Sequence, residues 1–300
     1  MANTIMINEI NENNFSSVCL PRQSNLLNFS AFRELRTDNL FRSFSIKMVL
    51  AGCETYTINR RKFTLEPGNY LLANHHARGI THIGSRTLVK GLCIDISPEI
   101  MAQAALATIY PEIQTTEPGP DTFFTAACFP ENTYATSQTS LGQKLNTLCR
   151  HFLTQAELPD LQPEFYYTLA ECVVADMMPA FHQMAKLKAR RLETRKDLLV
   201  KLQDSKNYID AHFGRIRHIK EVADHIYMSE YHFFRLFRQL FGISPYQYLT
   251  IRRMEHARRL MDEKELSLTS ITFLSGYNDL STFSRAFKKH FGHAPNAHIP

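Results

Sequence analysis

The stretch HFFRLFRQLFG at 232–242 returns as TFSRAFKKHFG at 282–292, and no other feature constrains the fold so tightly. Phe233, Arg235, Phe237, Phe241, Gly242 and Pro245 recur as Phe283, Arg285, Phe287, Phe291, Gly292 and Pro295, each 50 residues on. A period of this length marks one supersecondary unit used more than once. In the first copy Phe233, Phe237 and Leu240 are spaced as one buried helical stripe. Tyr231, Phe234, Arg235 and Arg238 fall on the opposite stripe. In the second copy Phe283, Phe287 and either His290 or Phe291 take the buried side. Ser281, Ser284, Arg285 and Lys288 take the exposed one.

The punctuation around the copies predicts their neighbours. Ser229 suits an N-cap and Gly242 a C-terminal stop. Ser244-Pro245-Tyr246-Gln247 combines an N-cap, a proline in the first turn and a capping-box Gln. The helix it opens carries Tyr248, Ile251, Met254, Ala257 and Met261 on one side. A short helix over 219–227 and a tight turn precede the first copy; Ser275-Gly276-Tyr277-Asn278 is the turn before the second. Upstream, Leu198, Leu202, Tyr208, Ile209 and Phe213 read as one face, stopped at Gly214. The last third is therefore all-α, with helix-turn-helix units at about 219–241 and 268–291. In such a unit a short helix braces a second one, whose exposed face can enter a major groove about 12 Å wide.

Charge divides along the same line. Residues 194–300 hold 17 Lys+Arg and 11 Asp+Glu, a net of +6; residues 1–193 hold 17 and 18, a net of −1. A basic part joined to a neutral one suits a polyanion partner, or else presents a solvated basic face. For Arg235 and Arg285 the choice is between base edges and a surface salt bridge, and the same residue at the same phase twice favours base edges.

The rest of the chain reads differently. Residues 44–52, 54–65, 66–74 and 81–97 give several short strands, with turns at Asn59-Arg60-Arg61 and Pro67-Gly68 and two short strands within 81–97. They predict a small sandwich or barrel. Leu141, Leu145, Leu148 and Phe152 then mark one helix. A second, from Pro163 to about Lys188, has Phe165, Leu169, Cys172 and Val173 on its face. The pair is either plain core or a dimer face. Residues 186–197 read as a solvated helix or linker. The expected organisation is 1–136 strand-rich, 137–194 helical dimerisation or linker segment, and 195–300 helical reader. Six scattered cysteines form no C-x-x-C pair, and the N-terminus has no basic and apolar leader, which points to a reduced, cytoplasmic protein. No apolar run reaches the roughly 18 residues of a membrane span.

The C-terminal hundred residues resemble the DNA-binding domain of the AraC family of bacterial transcription regulators. The resemblance is carried by Ala223, Ser229, Phe233, Arg235, Phe237, Arg238, Gly242-Ile243-Ser244-Pro245, Arg253, Met254, Ala257 and Leu260-Met261. The second unit adds Ile271, Gly276-Tyr277, Asp279, Ser281, Phe283, Ser284-Arg285, Phe287-Lys288-Lys289 and Phe291-Gly292. It implies two recognition helices on one face of double-stranded DNA. Tyr231, Phe234, Arg235, Ser281, Ser284 and Arg285 would then face bases, with Arg238 and Lys288 beside them. It further implies a cupin-like effector domain at the N-terminus, hence a multidomain α+β chain, a homodimer, and RNA polymerase as a candidate partner. Thr272 departs from the family's small Ala, and the second copy carries Ala294-Pro295 and His298 for its Ser-Pro and aromatic.

The N-terminal part is expected to hold a small organic effector near Tyr70, His75, Arg78 and His82, with Arg78 suited to a carboxylate. The other reading makes these surface residues of a domain that only dimerises, in a constitutive regulator. His75, His76 and His82 stand where metal cupins keep ligands, but no Glu or later His completes a set, so no metal, cofactor or enzymatic chemistry is expected.

Overall fold

The computed structural model describes residues 6–18, 20–38, 41–107, 119–154, 164–187, 192–263 and 265–295. The chain divides into two compact units. One is built on residues up to Ala185 with a short segment ending at Lys196, the other on Asp197 onward with Lys186–Arg190.

Among the described residues the N-terminal unit is built on eight strands. β1 (Met6–Asn11) and β2 (Leu26–Asp38) precede the first strand expected from sequence. β3 (Phe44–Ala51), β4 (Glu54–Ile58), β5 (Arg61–Leu65) and β6 (Asn69–Ala73) follow. Asn59 and Arg60, both at positive φ, form the two-residue turn between β4 and β5. Positive φ at both central positions matches the right-handed twist of the strands it joins.

β7 (Gly79–Ile96) is one strand where two short ones were expected. β2 pairs with it on both sides of a bulge, Glu34 with Gly84 and Phe32 with Val89, so the ladder holds the two halves in line. β8 (Asn132–Ala135) pairs with β6. The pairing path runs β1-β2-β7-β3-β6-β8, with β4 on β7 and β5 on β4. Among the described residues the sheet does not close, so the strand-rich region is described as an open mixed sheet and the expected cupin-like barrel is not confirmed.

The period of two decides what each face of the sheet buries. Phe32, Val49, Tyr56, Ile58, Phe63, Leu65, Leu71 and Ile83 share one core cluster. On the other face of β3, Phe44 packs edge-on against Phe124 and Phe129, and Met48 lies 3.4 Å from the Cys149 sulfur. That face is covered by α1 (Pro98–Ala107), α2 (Pro120–Thr125), α3 (Ser140–Thr154) and α4 (Glu164–Lys186), whose buried residues include Met101, Phe123, Leu145 and Phe181. Asp176 of α4 accepts from the Ser140 and Leu141 amides at 3.0 and 2.9 Å. A carboxylate there satisfies two orphan donors at the start of α3 and suits its dipole.

The helical faces differ from the expected ones by about a residue. On α3, Cys149 is buried and Leu148 half-buried; the Phe152 side chain lies outside the described residues. On α4, Tyr166, Leu169, Ala170, Val173 and Val174 are buried, while Phe165 and Cys172 are half-buried. The expected start of α4 at Pro163 and Lys188 near its end lie outside the described residues, as does Cys19.

Among the described residues the C-terminal unit is all helix: α5 (Leu192–His212) from Asp197 on, α6 (Ile219–His225), α7 (Glu230–Phe241), α8 (Pro245–Glu263), α9 (Leu268–Leu274) and α10 (Leu280–Phe291). On α5 the buried stripe is Leu199, Leu202, Ser205 and Ile209, not Leu198, Tyr208 and Phe213, which are half-buried. The serine fits because its hydroxyl donates to the Leu202 carbonyl at 2.6 Å. Tyr208 instead stacks against His212 and His225, ring centroids 4.4 and 4.2 Å away.

Helix α8 serves two cores. Its Tyr248 ring meets Phe237 of the first copy, and Met254, Ala257 and Met261 pack with Ile271, Phe283 and Phe287 of the second. No helix among the described residues is long and apolar enough to cross a membrane.

Candidate functional site

Helices α7 and α10 are built alike. Ser229 and Asp279 cap their starts, accepting from the amides of His232 at 3.4 Å and Thr282 at 2.7 Å. Gly242 and Gly292 end them at φ 79° and 85°, the left-handed conformation that only glycine adopts at little cost. Phe233, Leu236, Phe237 and Leu240 are buried in α7, and Phe283 and Phe287 in α10. His290 is exposed, while Phe291 packs against the second core, so Phe291 completes the second stripe.

The opposite faces meet solvent. Tyr231 is 81% exposed and Phe234 37%, and Arg235 and Arg238 are exposed. Phe234 therefore shares the face of the two arginines. In α10, Ser281, Arg285 and Lys288 are exposed and Ser284 is half-buried. Among the described residues neither Arg235 nor Arg285 forms an ion pair. Arg285 donates to the Thr282 hydroxyl at 3.5 Å, and its charge acts on the Asp279 carboxylate beyond it. A guanidinium outside an ion pair keeps most of its donors for phosphate or for the O6/N7 edge of guanine.

The turns before these helices differ. In the first, Tyr227 has φ 54° and Met228 donates to Ala223; in the second, Gly276 has φ 82° and Tyr277 donates to Thr272. These pairs are 49 residues apart, whereas Ser229 and Asp279 are 50 apart. The second turn thus holds one extra residue. Thr272, where a small Ala was expected, is buried, and its hydroxyl is satisfied by the Leu268 carbonyl at 2.8 Å.

Arg253 of α8 holds the second turn in place. Its guanidinium donates to the carbonyls of Phe213 and Ile216 at 3.0 and 2.6 Å and lies over the Tyr277 ring. Burial pushes it below the usual range of an arginine. Sequence reasoning assigned Arg253 to the resemblance but gave it no role. Tyr227, which with Ile226 and Met228 was expected to form the turn before the first copy, is 91% exposed at the foot of α7.

In the N-terminal unit the four expected effector residues are not brought together. Tyr70 is buried, its hydroxyl donating to Thr139 at 2.9 Å and its phenol pushed up to about 12 by burial. His82 lies exposed on β7. His75 and Arg78 share a pocket, with Arg22, Gln23, Asp38, Phe41 and Arg42.

A second, smaller cavity of about 70 Å³ lies on the inner face of the sheet and was not foreseen. Register places Ser45 opposite Asp95 and Lys47 opposite Cys93, all on that face. Lys47 donates to the Cys93 sulfur, Ser45 to Asp95, and Tyr56 to Glu54. Burial pulls the Lys47 ammonium down, but the neighbouring Cys93, Asp95 and Glu54 outweigh it and hold it above its usual value. Burial lifts the Cys93 thiol to about 12. The signal for this network was in plain view: a lysine in the centre of the apolar strand FSIKMVLA. Among the described residues no group of three His, Cys, Asp or Glu could hold a metal ion.

Comparison with known proteins bears on the C-terminal unit. Residues 222–298 match the family model of a helix-turn-helix domain. The chain is 30% identical over 89 residues to the probable transcriptional regulator LumQ of Photobacterium leiognathi, covering 30% of this chain and 36% of that one. It is 32% identical over 98 residues to the regulatory protein PocR of Salmonella typhimurium, covering 33% and 32%. It thus spans about a third of the length of these relatives. Among solved structures, the C-terminal domain of AraT, a response regulator from Geobacillus stearothermophilus, is 33% identical. That match covers 33% of this chain and 83% of that one at a TM-score of 0.32.

Proposed function

We propose that this chain, whose C-terminal residues form a helix-turn-helix domain of the AraC type, is a homodimeric transcription regulator that reads duplex DNA and answers to a small molecule held by its N-terminal unit. The observation that carries the first part is the duplication itself. Two amphipathic helices present cationic faces at the same phase, and among the described residues neither central arginine forms an ion pair. Arg235 and Arg285 are assigned to base edges, Tyr231, Phe234, Ser281 and Ser284 to the surrounding contacts, and Arg238 and Lys288 to the flanking phosphates. Two units on one linker helix suit two groove segments about 10 bp apart.

The experiment is selection of bound sequences from a random duplex pool by the full chain, followed by affinity against salt. A recovered site with two contacted segments and a steep salt slope is expected, because each neutralised phosphate releases counterions. Recovery of no motif, or binding indifferent to salt, would end the reading.

The effector part rests on the pocket that joins His75 and Arg78 and on the cavity around Lys47, two places in one unit where polar groups converge. Such convergence in a concave site is the default mark of a ligand pocket. Regulation further requires the ligand to favour one state of the protein over another. Operator affinity measured with and without a bound ligand tests it; a chain whose affinity no ligand of that unit changes is a constitutive regulator.

A further inference from the structure

The pocket shared by His75 and Arg78 has a composition that the regulator reading does not explain. Its volume is about 270 Å³, and Arg22, Gln23, Asp38, Phe41, Arg42, His75 and Arg78 line it. Three guanidiniums face one carboxylate there. With His75 neutral, the lining carries a net charge of +2 (three positive, one negative). Burial, with His76 and Arg78 nearby, holds His75 below the usual histidine range.

Two of the guanidiniums, those of Arg42 and Arg78, are held by neutral acceptors. Arg42 donates Nη1 to the Leu20 carbonyl at 2.6 Å. Arg78 donates Nη1 to the His75 and Ala77 carbonyls at 2.8 and 3.3 Å. Neutral acceptors orient a guanidinium but leave its charge, and most of its five donors remain free. Among the described residues none of the three arginines forms an ion pair.

The loops that carry them are tied down as well. The Gln23 amide donates to the Arg42 carbonyl at 3.0 Å, and the Ser24 amide to the Ser43 hydroxyl at 2.9 Å. Gln23 holds φ 54°, an unfavourable conformation for a non-glycine residue. On the other side Asn74 is buried and donates to the carbonyls of Phe124 and Ala126 at 3.2 and 2.6 Å. The Ala77 amide returns to the Asn74 carbonyl at 2.9 Å. Donors held in advance lose little freedom on binding, which favours affinity.

From this geometry we infer that the pocket binds a small dianion whose charge lies on oxygens, a dicarboxylate or a phosphate monoester. Two charges match the net +2 of the lining. Guanidinium forks suit carboxylate and phosphate oxygens, and Phe41 leaves room for a short apolar spacer between them. The volume lies below that of drug-sized ligand sites, which begin at roughly 300 Å³, and so favours a compact metabolite. Its regulatory meaning rests on the effector reading above; the binding does not.

The test is titration calorimetry on the full chain with succinate and with inorganic phosphate as probes, and acetate and tetramethylammonium as controls. Saturable binding of at least one dianion is expected, with acetate at least about tenfold weaker and no signal from the cation. Arg22→Gln and Arg78→Gln should each weaken the dianion about tenfold or more. Thermal unfolding of the ligand-free variants, unchanged from the parent, shows that the fold is intact. Should Arg78→Gln unfold the unit, Arg78→Lys, which keeps the charge and loses the fork, replaces it with the same expected loss. Saturable binding of neither dianion, or binding untouched in a folded Arg22→Gln/Arg78→Gln double variant, overturns the inference. The succinate and phosphate arms separate the two sources of charge. Operator affinity measured with the bound dianion is a separate readout. If it does not change, the site stands and the effector reading fails at this pocket.

Discussion

The two helix-turn-helix copies solve the same problem with different residues. Both must turn the chain sharply between a short helix and the longer amphipathic helix that follows it. The first does it with an exposed tyrosine at positive φ, the second with a glycine and one additional residue. A Cβ on Gly276 would come within 2.9 Å of the Arg253 Nε and 3.0 Å of the Gly214 backbone, so the second turn is pressed against the body of the unit. Tyr227, 91% exposed, is under no such pressure and accepts conformational strain where a glycine would relieve it. The first turn is free to offer a side chain outward; the second is committed to packing. The recognition faces differ in the same sense, Tyr231 and Phe234 in one against Ser281 and Ser284 in the other.

The largest effect should be common to both copies and so establish their shared plan. Phe237 and Phe287 are fully buried, each in contact with the aromatic ring one helical turn before and after it. Phe237→Ala and Phe287→Ala should each cost about 3–5 kcal/mol, the usual loss for a buried Phe. Phe234→Ala, on the outer face, should cost far less. Denaturant unfolding of the full chain, with hydrogen exchange to assign the transition, measures all three. If Phe234→Ala matched Phe237→Ala, the phase of α7 would be wrong, and Arg235 with it.

The next effect should separate the copies. Gly276→Ala places a side chain both in a left-handed conformation and against Arg253 and Gly214, and should cost roughly 2–4 kcal/mol. Tyr227→Gly should be neutral to slightly stabilising. Relief of roughly 1–2 kcal/mol of backbone strain is offset by the greater freedom of glycine in the unfolded chain. Equal losses at both positions would mean that the turns are equivalent after all.

What could be read beforehand follows from which interactions are local. The recognition helices, their caps and their stripes depend on contacts three and four residues apart, and both copies were legible. The one-residue difference in the turns was not, because the shift of 50 matches the recognition helices and hides a shift of 49 before them. Strands β3 to β6 were legible from alternation and turns, while β1 and β2 went unread although the turn-forming Asn14, Ser17, Pro21 and Ser24 stand between them. The bulge in β7 looked like a break because only pairing with β2 shows the halves to be one strand. The cationic pocket was half legible. His75 and Arg78 are neighbours in sequence, but Arg22 and Arg42 reach it only through tertiary structure.

On DNA the comparison becomes a question of which copy reads more. Arg235→Ala and Arg285→Ala should each cost on the order of 1–3 kcal/mol of discrimination at one operator position, with changes at different positions. Arg238→Ala and Lys288→Ala should weaken binding to all sequences alike and lower the salt slope. Competition against single-base operator variants measures the first pair, and a salt series the second. If only one arginine alters specificity, the other copy serves as a clamp on the backbone.

The smallest effect is also the most selective, because it depends on the chemistry of the two caps. Ser229 holds the start of α7 with a neutral hydroxyl at 3.4 Å, while Asp279 holds α10 with a carboxylate at 2.7 Å and also accepts from the Thr282 hydroxyl at 2.9 Å. The backbone amide and the hydroxyl of Thr282 hold the Asp279 carboxyl below its usual range. A carboxyl whose value is lower in the folded than in the unfolded chain stabilises the fold above its unfolded value. That contribution fades as pH falls through the folded value. Asp279→Ala should therefore lower the melting temperature at neutral pH more than Ser229→Ala does, since the carboxylate also answers the helix dipole. In acid the Asp279→Ala deficit should shrink, and the Ser229→Ala deficit should stay as it was. Asp279→Asn, which keeps an acceptor and loses the charge, should start from a smaller deficit that shrinks by the same amount in acid, because neither variant titrates at this position. A Ser229→Ala deficit that shrank in parallel would trace the effect to general acid unfolding, and the two caps would then be interchangeable.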